Sequence, residues 1–378
     1  MAATSNDLCG VIPLTYPPEE DGVAHGLPRA TYTSEDFLKA EYQHLFADHW
    51  TFVGFAHEIP NTGDVLPATA AGQPIVLVRD QKGEVKAFHN VCRHRGHPVV
   101  LKPCRGAKSL VCPYHAWTYD LDGRLKRTPH FGGYTKSIES FAYERYGLRP
   151  IRCKYWHDWV FVNLGGKARP LEEYLGPVSR RLEAVDFEHV MPIAKLDLGI
   201  VQANWKFLIE NFIEPYHVPV VHSQSAGGQP LADHHMIVDG YCVGCAIDVS
   251  SEAVSNDRDK LPQMLDMSTR YLTLFPNFVL AWYLPDQLGV HLNVPEAPDR
   301  TRQWRVIYHI GKDMPSDEHV QSLSTLWTQV HREDHAVVEG LQRGRASPVL
   351  DDGGLLSPHW ETSVRQFHKL VVDALNEA

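Results

Sequence analysis

Apolar residues change their spacing along this chain, and the changes divide it into parts. Residues 1–32 are rich in Pro and Gly and show no period, which predicts an extended arm. Leu38, Tyr42, Leu45 and Phe46 then fall at helical spacing, behind a start signal at 33–36 in which Thr33 caps and Asp36 follows three residues on. From Trp50 to about Leu164 the pattern shortens to β-rich runs at 74–78, 85–88, 118–121 and 159–162, with Lys82-Gly83 and Asp122-Gly123 as turn signals. These runs predict a small all-β domain. Gly165, Gly166 and Pro170 mark a boundary. Beyond it the pattern predicts a helix near 171–184, strand-like runs and a helix from about Ala203. Strands follow near 237–249, 270–283, 288–294 and 302–310, then a long helix over about 317–342 and a last helix near the C-terminus. The expected class is α+β, with an arm and helix over 1–48, an all-β domain over 49–165, and an antiparallel sheet with helices over 166–378.

Composition narrows the setting. A chain of 378 residues is long enough for two domains, and 43% hydrophobic with 22% charged residues is ordinary for a soluble globular protein. No apolar run approaches the roughly 20 residues of a membrane span, and the first residues lack the basic start and apolar stretch of a secretory signal. A formal charge of −10 argues against a nucleic-acid partner and suits a solvated acidic surface. The cysteine count is seven. Cys9, Cys104, Cys153, Cys242 and Cys245 are scattered as free thiols of a reducing, cytoplasmic compartment would be. Cys242 and Cys245 have the spacing of half a zinc site, but no second half is evident, and small buried strand residues are the plainer reading.

Chemistry enters at the other two cysteines. Cys92-Arg93-His94 and Cys112-Pro113-Tyr114-His115 each pair a thiolate with an imidazole. Two cysteines on one iron and two histidines on a second are the ligands of a Rieske [2Fe-2S] cluster. Histidine ligation raises the potential to between about −150 and +300 mV, so a chain holding such a cluster handles single electrons. Zinc also accepts two cysteines and two histidines. A zinc finger groups its cysteines apart from its histidines, whereas here each cysteine travels with its own histidine.

A second constellation contains His217 and His222, five residues apart. Neighbours on one helix face are three or four apart. Both imidazoles reach one ion only if the helix is distorted, and Pro215 and Pro219 supply distortion by removing backbone donors. Such histidines are also common as plain surface or core residues. In the long C-terminal helix, Leu323, Leu326, Trp327, Val330, Val337, Val338 and Leu341 form an apolar face, and Asp334 falls within it. A buried carboxylate needs a partner, while Glu333, at the edge of the stripe, more easily reaches water. Two histidines and one aspartate make the facial triad of non-haem Fe(II), with positions left open for oxygen. A salt bridge to an arginine is the plainer alternative for Asp334, and the cluster motif favours iron.

The half-sites Cys92-Arg93-His94-Arg95-Gly96 and Cys112-Pro113-Tyr114-His115-Ala116-Trp117 resemble those of Rieske non-haem iron oxygenase α-subunits, the aromatic-ring-hydroxylating oxygenases. Asn204-Trp205-Lys206, Glu210-Asn211, Tyr216-His217 and His222 extend the likeness over nearly the whole chain. Respiratory Rieske proteins join the two loops by a disulfide; His97 and Tyr114 stand at those positions here. The resemblance implies a Rieske domain followed by a helix-grip-like catalytic domain. It implies a [2Fe-2S] cluster on Cys92, His94, Cys112 and His115, and Fe(II) on His217, His222 and Asp334. It further implies a homotrimer in which the cluster of one subunit serves the iron of its neighbour. A carboxylate three residues before the first iron histidine bridges the two sites in the family; here it is Glu214, where many members have Asp. Quaternary-ammonium-oxidising members are similar in using glutamate. Asn211 and Tyr216 are expected beside the iron without ligating it.

The function expected from the resemblance is that of a terminal oxygenase. It hydroxylates a small aromatic or quaternary ammonium compound with O2, drawing electrons from a separate NAD(P)H-dependent reductase, directly or through a ferredoxin. Aromatic hydrocarbon catabolism is among the implied roles. Tyr271, Leu274, Phe275, Phe278, Trp282, Tyr283 and His291 are pocket candidates, since an aromatic cavity holds an aryl ring or, by cation–π attraction, a trimethylammonium group. A non-catalytic Rieske electron-transfer protein is the alternative, and it needs neither a His/His/Asp set nor a pocket. A zinc-stabilised binding module is the third reading and would be colourless.

Overall fold

The computed structural model describes residues 14, 19, 22–134, 138–223, 225, 230–248 and 268–376. Cys9 and most of the arm expected at the N-terminus lie outside them. The chain forms two compact units, Phe46–Leu171 on one hand and Met1–Leu45 with Glu172–Ala378 on the other.

The described chain opens with the strand Ala24–His25 (β1) and the helices Ala30–Thr33 (α1) and Glu35–Ala40 (α2), followed by a π-helical stretch over Glu41–Phe46. The cap of α2 is Ser34 rather than Thr33. Ser34 is extended and its Oγ accepts the N–H groups of Asp36 and Phe37, whereas Thr33 is the last helical residue of α1.

The smaller unit is built of β2 (Thr51–Phe55), β3 (Val65–Ala70), β4 (Gln73–Arg79), β5 (Val85–His89), β6 (Leu110–Val111), β7 (Thr118–Tyr119), β8 (Leu125–Arg127), β9 (Pro150–Trp156) and β10 (Trp159–Asn163). Six of these strands form a sheet ordered β2-β10-β9-β5-β4-β3, and the other three form a sheet ordered β6-β7-β8. Side chains alternate across a strand. On β4, Ile75 and Leu77 enter one core cluster with Val53 and Ile151, while Val76 and Val78 enter another with Cys92, Cys112 and Trp117. That two-sided burial explains why β4 reads as a continuous apolar run. The strand expected to reach residue 121 ends at Tyr119, because Asp120 Oδ1 accepts the N–H groups of Asp122 and Arg124 and turns the chain.

The larger unit holds a seven-stranded antiparallel sheet made of β11 (Val190–Val201), β12 (His234–Asp239), β13 (Cys242–Ile247), β14 (Thr269–Leu274), β15 (Phe278–Tyr283), β16 (Gln287–Ala297) and β17 (Arg300–Ile310). Its order is β11-β17-β16-β15-β14-β13-β12. The runs expected as single strands near 237–249 and 270–283 are each divided by a turn, at Gly240-Tyr241 and over 275–277. The helices are α3 (Leu171–Arg181), α4 (Trp205–Ile213), α5 (Val218–Val221), α6 (Asp317–Gly344) and α7 (Thr362–Asn376), and Leu355–Leu356 (β18) pairs with β1. Trp327 and Val330 of α6 pack against Tyr283 and Ile307 of the sheet. Leu341, expected on the same face, is 45% exposed. Cys242 and Cys245 are buried on β13, three residues apart and so on opposite faces, which rules out a shared ion. Burial pushes the Cys153 and Cys242 thiols up to about 12, which keeps them protonated and inert.

The N-terminus of α4 is anchored by a fully buried ion pair, Lys206 Nζ to Glu41 Oε1 at 2.6 Å, with Trp205 Nε1 donating to Glu41 Oε2 at 2.8 Å. Removing one partner leaves an uncompensated buried charge. Lys206→Met is therefore expected to destabilise the fold by about 3–5 kcal/mol, read from urea unfolding. The double variant Lys206→Met, Glu41→Leu should recover much of that loss.

Candidate active site

The two cysteine–histidine loops share one backbone design. In the first, Gly96 N–H donates to Cys92 O, and Cys92 N–H donates to His97 O. In the second, Ala116 N–H donates to Cys112 O, and Cys112 N–H donates to Trp117 O. The fourth residue after each cysteine has positive φ, +80° at Gly96 and +57° at Ala116. Glycine takes this conformation freely, and the alanine is held there by the loop. His97 and Tyr114, at the positions of the absent disulfide, face one another with ring centroids 6.1 Å apart.

The His94 and His115 rings are 4.6 Å apart, and His94 stacks on Trp117. Both Nδ1 atoms are buried without a hydrogen-bond partner. Buried polar atoms are nearly always paired, so two adjacent orphan nitrogens mark a place for a bound group. Cys92 and Cys112 are buried beside them, and Tyr119 Oη lies 3.3 Å from Cys92 Sγ. Burial, with the charges of His115 and Arg95, holds the His94 imidazole below its usual pKa, in the neutral form a metal requires. Among the described residues, the His, Cys, Asp and Glu set whose ligand atoms all lie within 4.8 Å of one another is His217, His222 and Asp334. The donors of the cysteine–histidine quartet, two thiols and two imidazoles on paired loops, fit a two-iron cluster.

The second centre forms where α4 stops. Helix α4 is capped by Asn204, whose side chain accepts the Lys206 N–H, and it ends at Ile213 ahead of Pro215. Ser363 Oγ of α7 donates to the Ile213 carbonyl, satisfying one of the helix's last acceptors. The chain then makes the single turn α5, with His217 at its N-cap and His222 at its C-cap. The spacing of five is therefore met by a break at Pro215. Pro219 lies in the first turn of α5, where its missing N–H costs nothing.

Asp334 comes from α6. Its Oδ1 lies 3.0 Å from His222 Nε2 and 3.7 Å from His217 Nε2. Asn211 Nδ2 donates to the same oxygen at 2.9 Å. The far nitrogen of each imidazole meets a different carboxylate, His217 Nδ1 to Glu214 Oε1 at 2.6 Å and His222 Nδ1 to Glu333 Oε2 at 2.8 Å. Ser225 Oγ and Gln329 Nε2 both donate to Glu333. Carboxylates on Nδ1 fix the tautomer that leaves Nε2 free for a metal. Burial pushes the Asp334 carboxyl up, but His222, His217 and Asn211 outweigh it and hold the group ionised below the usual range. Two imidazoles and one carboxylate fit ferrous iron.

Glu333, expected near water, instead orients His222. Tyr216 is 55% exposed and does not line the cavity, because it lies in the link between α4 and α5, where its N–H donates to Glu214. Glu210 points away from the centre, accepting from Tyr32 Oη at 2.7 Å and facing His368 Nε2 at 3.0 Å. The cavity beside the centre has about 70 Å³ of solvent-accessible interior, within about 730 Å³ of unfilled space counted to its mouth. Of the expected lining residues, Tyr271, Tyr283 and His291 border it, and Leu274, Phe275, Phe278 and Trp282 do not. Alternation explains the split on β15, where Tyr283 faces the cavity and Phe278 and Trp282 do not. Arg305, Trp327, His331 and His335 also line the cavity and were not legible as pocket residues.

A paired cysteine–histidine loop domain and a His/His/carboxylate centre in one chain define a Rieske-type non-haem iron protein. Residues 49–142 match the Rieske [2Fe-2S] domain, and residues 179–377 match the ring hydroxylating alpha subunit (catalytic domain). The chain belongs to this ring-hydroxylating α-subunit family, whose cofactors are a [2Fe-2S] cluster and a mononuclear iron. It is 35% identical over 200 residues to the glycine betaine monooxygenase oxygenase subunit of Chromohalobacter salexigens, a match covering 53% of this chain and 44% of that protein. It is 28% identical to the chloroplastic choline monooxygenase of Spinacia oleracea, over 93% of this chain and 78% of the relative. The carnitine monooxygenase oxygenase subunit of Escherichia coli is 25% identical, over 93% and 94% respectively. In fold, the chain resembles a quaternary ammonium Rieske monooxygenase crystallised with an inhibitor (TM-score 0.80, 24% identity, 96% and 99% coverage). It also resembles naphthalene 1,2-dioxygenase bound to phenanthrene (TM-score 0.76, 21% identity, 93% of each chain). No helix among the described residues is long and apolar enough to cross a membrane.

Proposed function

We propose that this protein is the terminal oxygenase component of a multicomponent Rieske system, hydroxylating a small organic substrate with O2 and electrons from a separate NAD(P)H-dependent reductase. The observation that carries this reading is the convergence of His217, His222 and Asp334 on one point beside a cavity, with each imidazole backed by its own carboxylate. A Rieske carrier needs no such point, which is why the electron-transfer alternative is the weaker one. Cys92, His94, Cys112 and His115 hold the cluster; His217, His222 and Asp334 hold iron. When bound, the cluster supplies single electrons and the iron supplies oxygen activation.

The chain's own residues do the rest. Glu214 and Glu333 hold the two imidazoles in register, and Asn211 fixes one oxygen of Asp334. The apolar wall of Phe212, Trp327 and Val330 excludes water from the reacting centre. Glu214 has the further role of linking the iron site of one subunit to the cluster of its neighbour in a homotrimer, and residues 49–165 and 166–378 are the electron-accepting and catalytic domains. The relatives' names favour a quaternary ammonium substrate over an aromatic hydrocarbon. The cytoplasm is the proposed compartment.

The test is oxygen uptake with NADH and a surrogate reductase, run beside iron analysis. About three irons per chain are expected, two in the cluster and one outside it, with substrate-dependent uptake. A protein holding two irons, with a full cluster spectrum and no uptake on any substrate, would be a carrier.

A further inference from the structure

Arg305, on β17, lies in the cavity wall and is 1% exposed. An arginine presents five N–H donors and stays charged at any physiological pH. Here Nη1 lies 3.1 Å from His291 Nε2 and 3.5 Å from His331 Nε2, and Nη2 lies 3.5 Å from Tyr283 Oη. Nε has no partner at all. The guanidinium stacks on the Trp327 ring with its carbon 3.6 Å from the centroid. No carboxylate forms an ion pair with it among the described residues, and Asp334, whose charge acts on it, is itself engaged by both iron-site imidazoles and Asn211. The two carboxylates in the cavity wall are already engaged, Glu214 with His217 and Asp334 with both iron-site imidazoles.

A buried, unpaired cation is costly, and folds keep one where an anion completes it. The site is built to hold this one. Gly289, on β16, stands where a Cβ would overlap the guanidinium of Arg305, so the glycine leaves room for it. The Trp327 face, which a trimethylammonium group would seek, is taken by the protein's own cation.

From this geometry we infer that Arg305 binds the carboxylate of the substrate: the cavity selects carboxylate-bearing compounds, and a cation lacking a carboxylate is a poor ligand. The inference deepens the oxygenase reading and rests on it only in taking this cavity as the substrate site. Betaines and aryl carboxylates share the chemistry, and two matched pairs of probes separate them: glycine betaine against its amide, and benzoate against benzamide.

Calorimetric titration of the full-length, iron-loaded protein without O2 tests it. The carboxylate of at least one pair is expected to bind tenfold or more tighter than its amide, and the pair that does so identifies the scaffold. Arg305→Met should weaken that carboxylate about a hundredfold and erase the margin over the amide. Should Arg305→Met fail to fold, Arg305→Lys carries the test. It keeps the charge without the planar fork, so its margin should shrink. Equal binding within both pairs, or a margin unchanged in the variant that folds, overturns the inference. Oxygen uptake on the same four compounds separates the two readings. Arg305-dependent binding by a protein that holds only the two cluster irons and shows no uptake on any substrate sinks the oxygenase assignment alone; uptake driven by the amides and not the carboxylates sinks this inference alone.

Discussion

Replacing His217 with Ala is expected to lower turnover by a thousandfold or more, about 4 kcal/mol of lost barrier reduction, while the visible spectrum of the cluster keeps its shape and amplitude. The two donor sets lie in different units of the chain, Cys92, His94, Cys112 and His115 in one and His217, His222 and Asp334 in the other. Loss of an imidazole at the second centre does not reach the hydrogen bonds that shape the cluster loops. It removes one of the three proposed ligands and also strips Glu214 of its Nδ1 partner, 2.6 Å away. Iron outside the cluster should fall steeply. The measurement is product formation per chain, with iron content and absorbance on the same sample. Parallel loss of the visible spectrum would contradict two independent sites. Asp334→Asn should fall in the same class, because Oδ1 faces both imidazoles.

Glu214 admits a finer experiment, because two substitutions separate its two roles. Glu214→Gln removes the charge but keeps an oxygen that accepts from His217 Nδ1, so iron occupancy should stay near normal. Single-turnover oxidation of the reduced cluster should slow by about tenfold to a hundredfold if this carboxylate links the sites of adjacent subunits. Glu214→Ala removes the acceptor as well, and iron affinity should then fall by about tenfold to a hundredfold. Rapid-mixing kinetics and metal titration read the two effects. A Gln variant with unchanged single-turnover rates would limit Glu214 to orienting His217. A Gln variant that loses iron as badly as the Ala variant would show that the charge itself holds the metal. Glu333→Ala provides the comparison, since Glu333 orients His222 at 2.8 Å; it should weaken iron binding without slowing electron transfer in those molecules that keep iron.

Much of the fold was legible. The α6 boundaries agree closely with the apolar period, and the turns at Gly83 and Gly123 fall where their signals stood, both with positive φ. The double-length strand runs failed for a plain reason. Where two adjacent strands are both fully buried, as β14 and β15 are along much of their length, apolar residues run through the turn and no alternation marks the break. The misplaced cap at Thr33 is a similar case, because Thr33 and Ser34 are both competent caps and only the preceding short helix decides between them.

By itself the sequence singled out the candidate donor sets. Cys92 with His94, Cys112 with His115, and His217 with His222 are local pairs, and metal chemistry restricts residue type and spacing so tightly that short windows carry the information. What only the tertiary structure decided are the partners those ligands meet. Glu333 comes to His222 from 111 residues away, and Asp334 meets Asn211 across 123. The setting of Arg305 depends on the register of β17 beside β16 and on the face that α6 turns toward the sheet. A buried charge acquires its meaning from what surrounds it, and packing brings together groups that sequence order keeps apart.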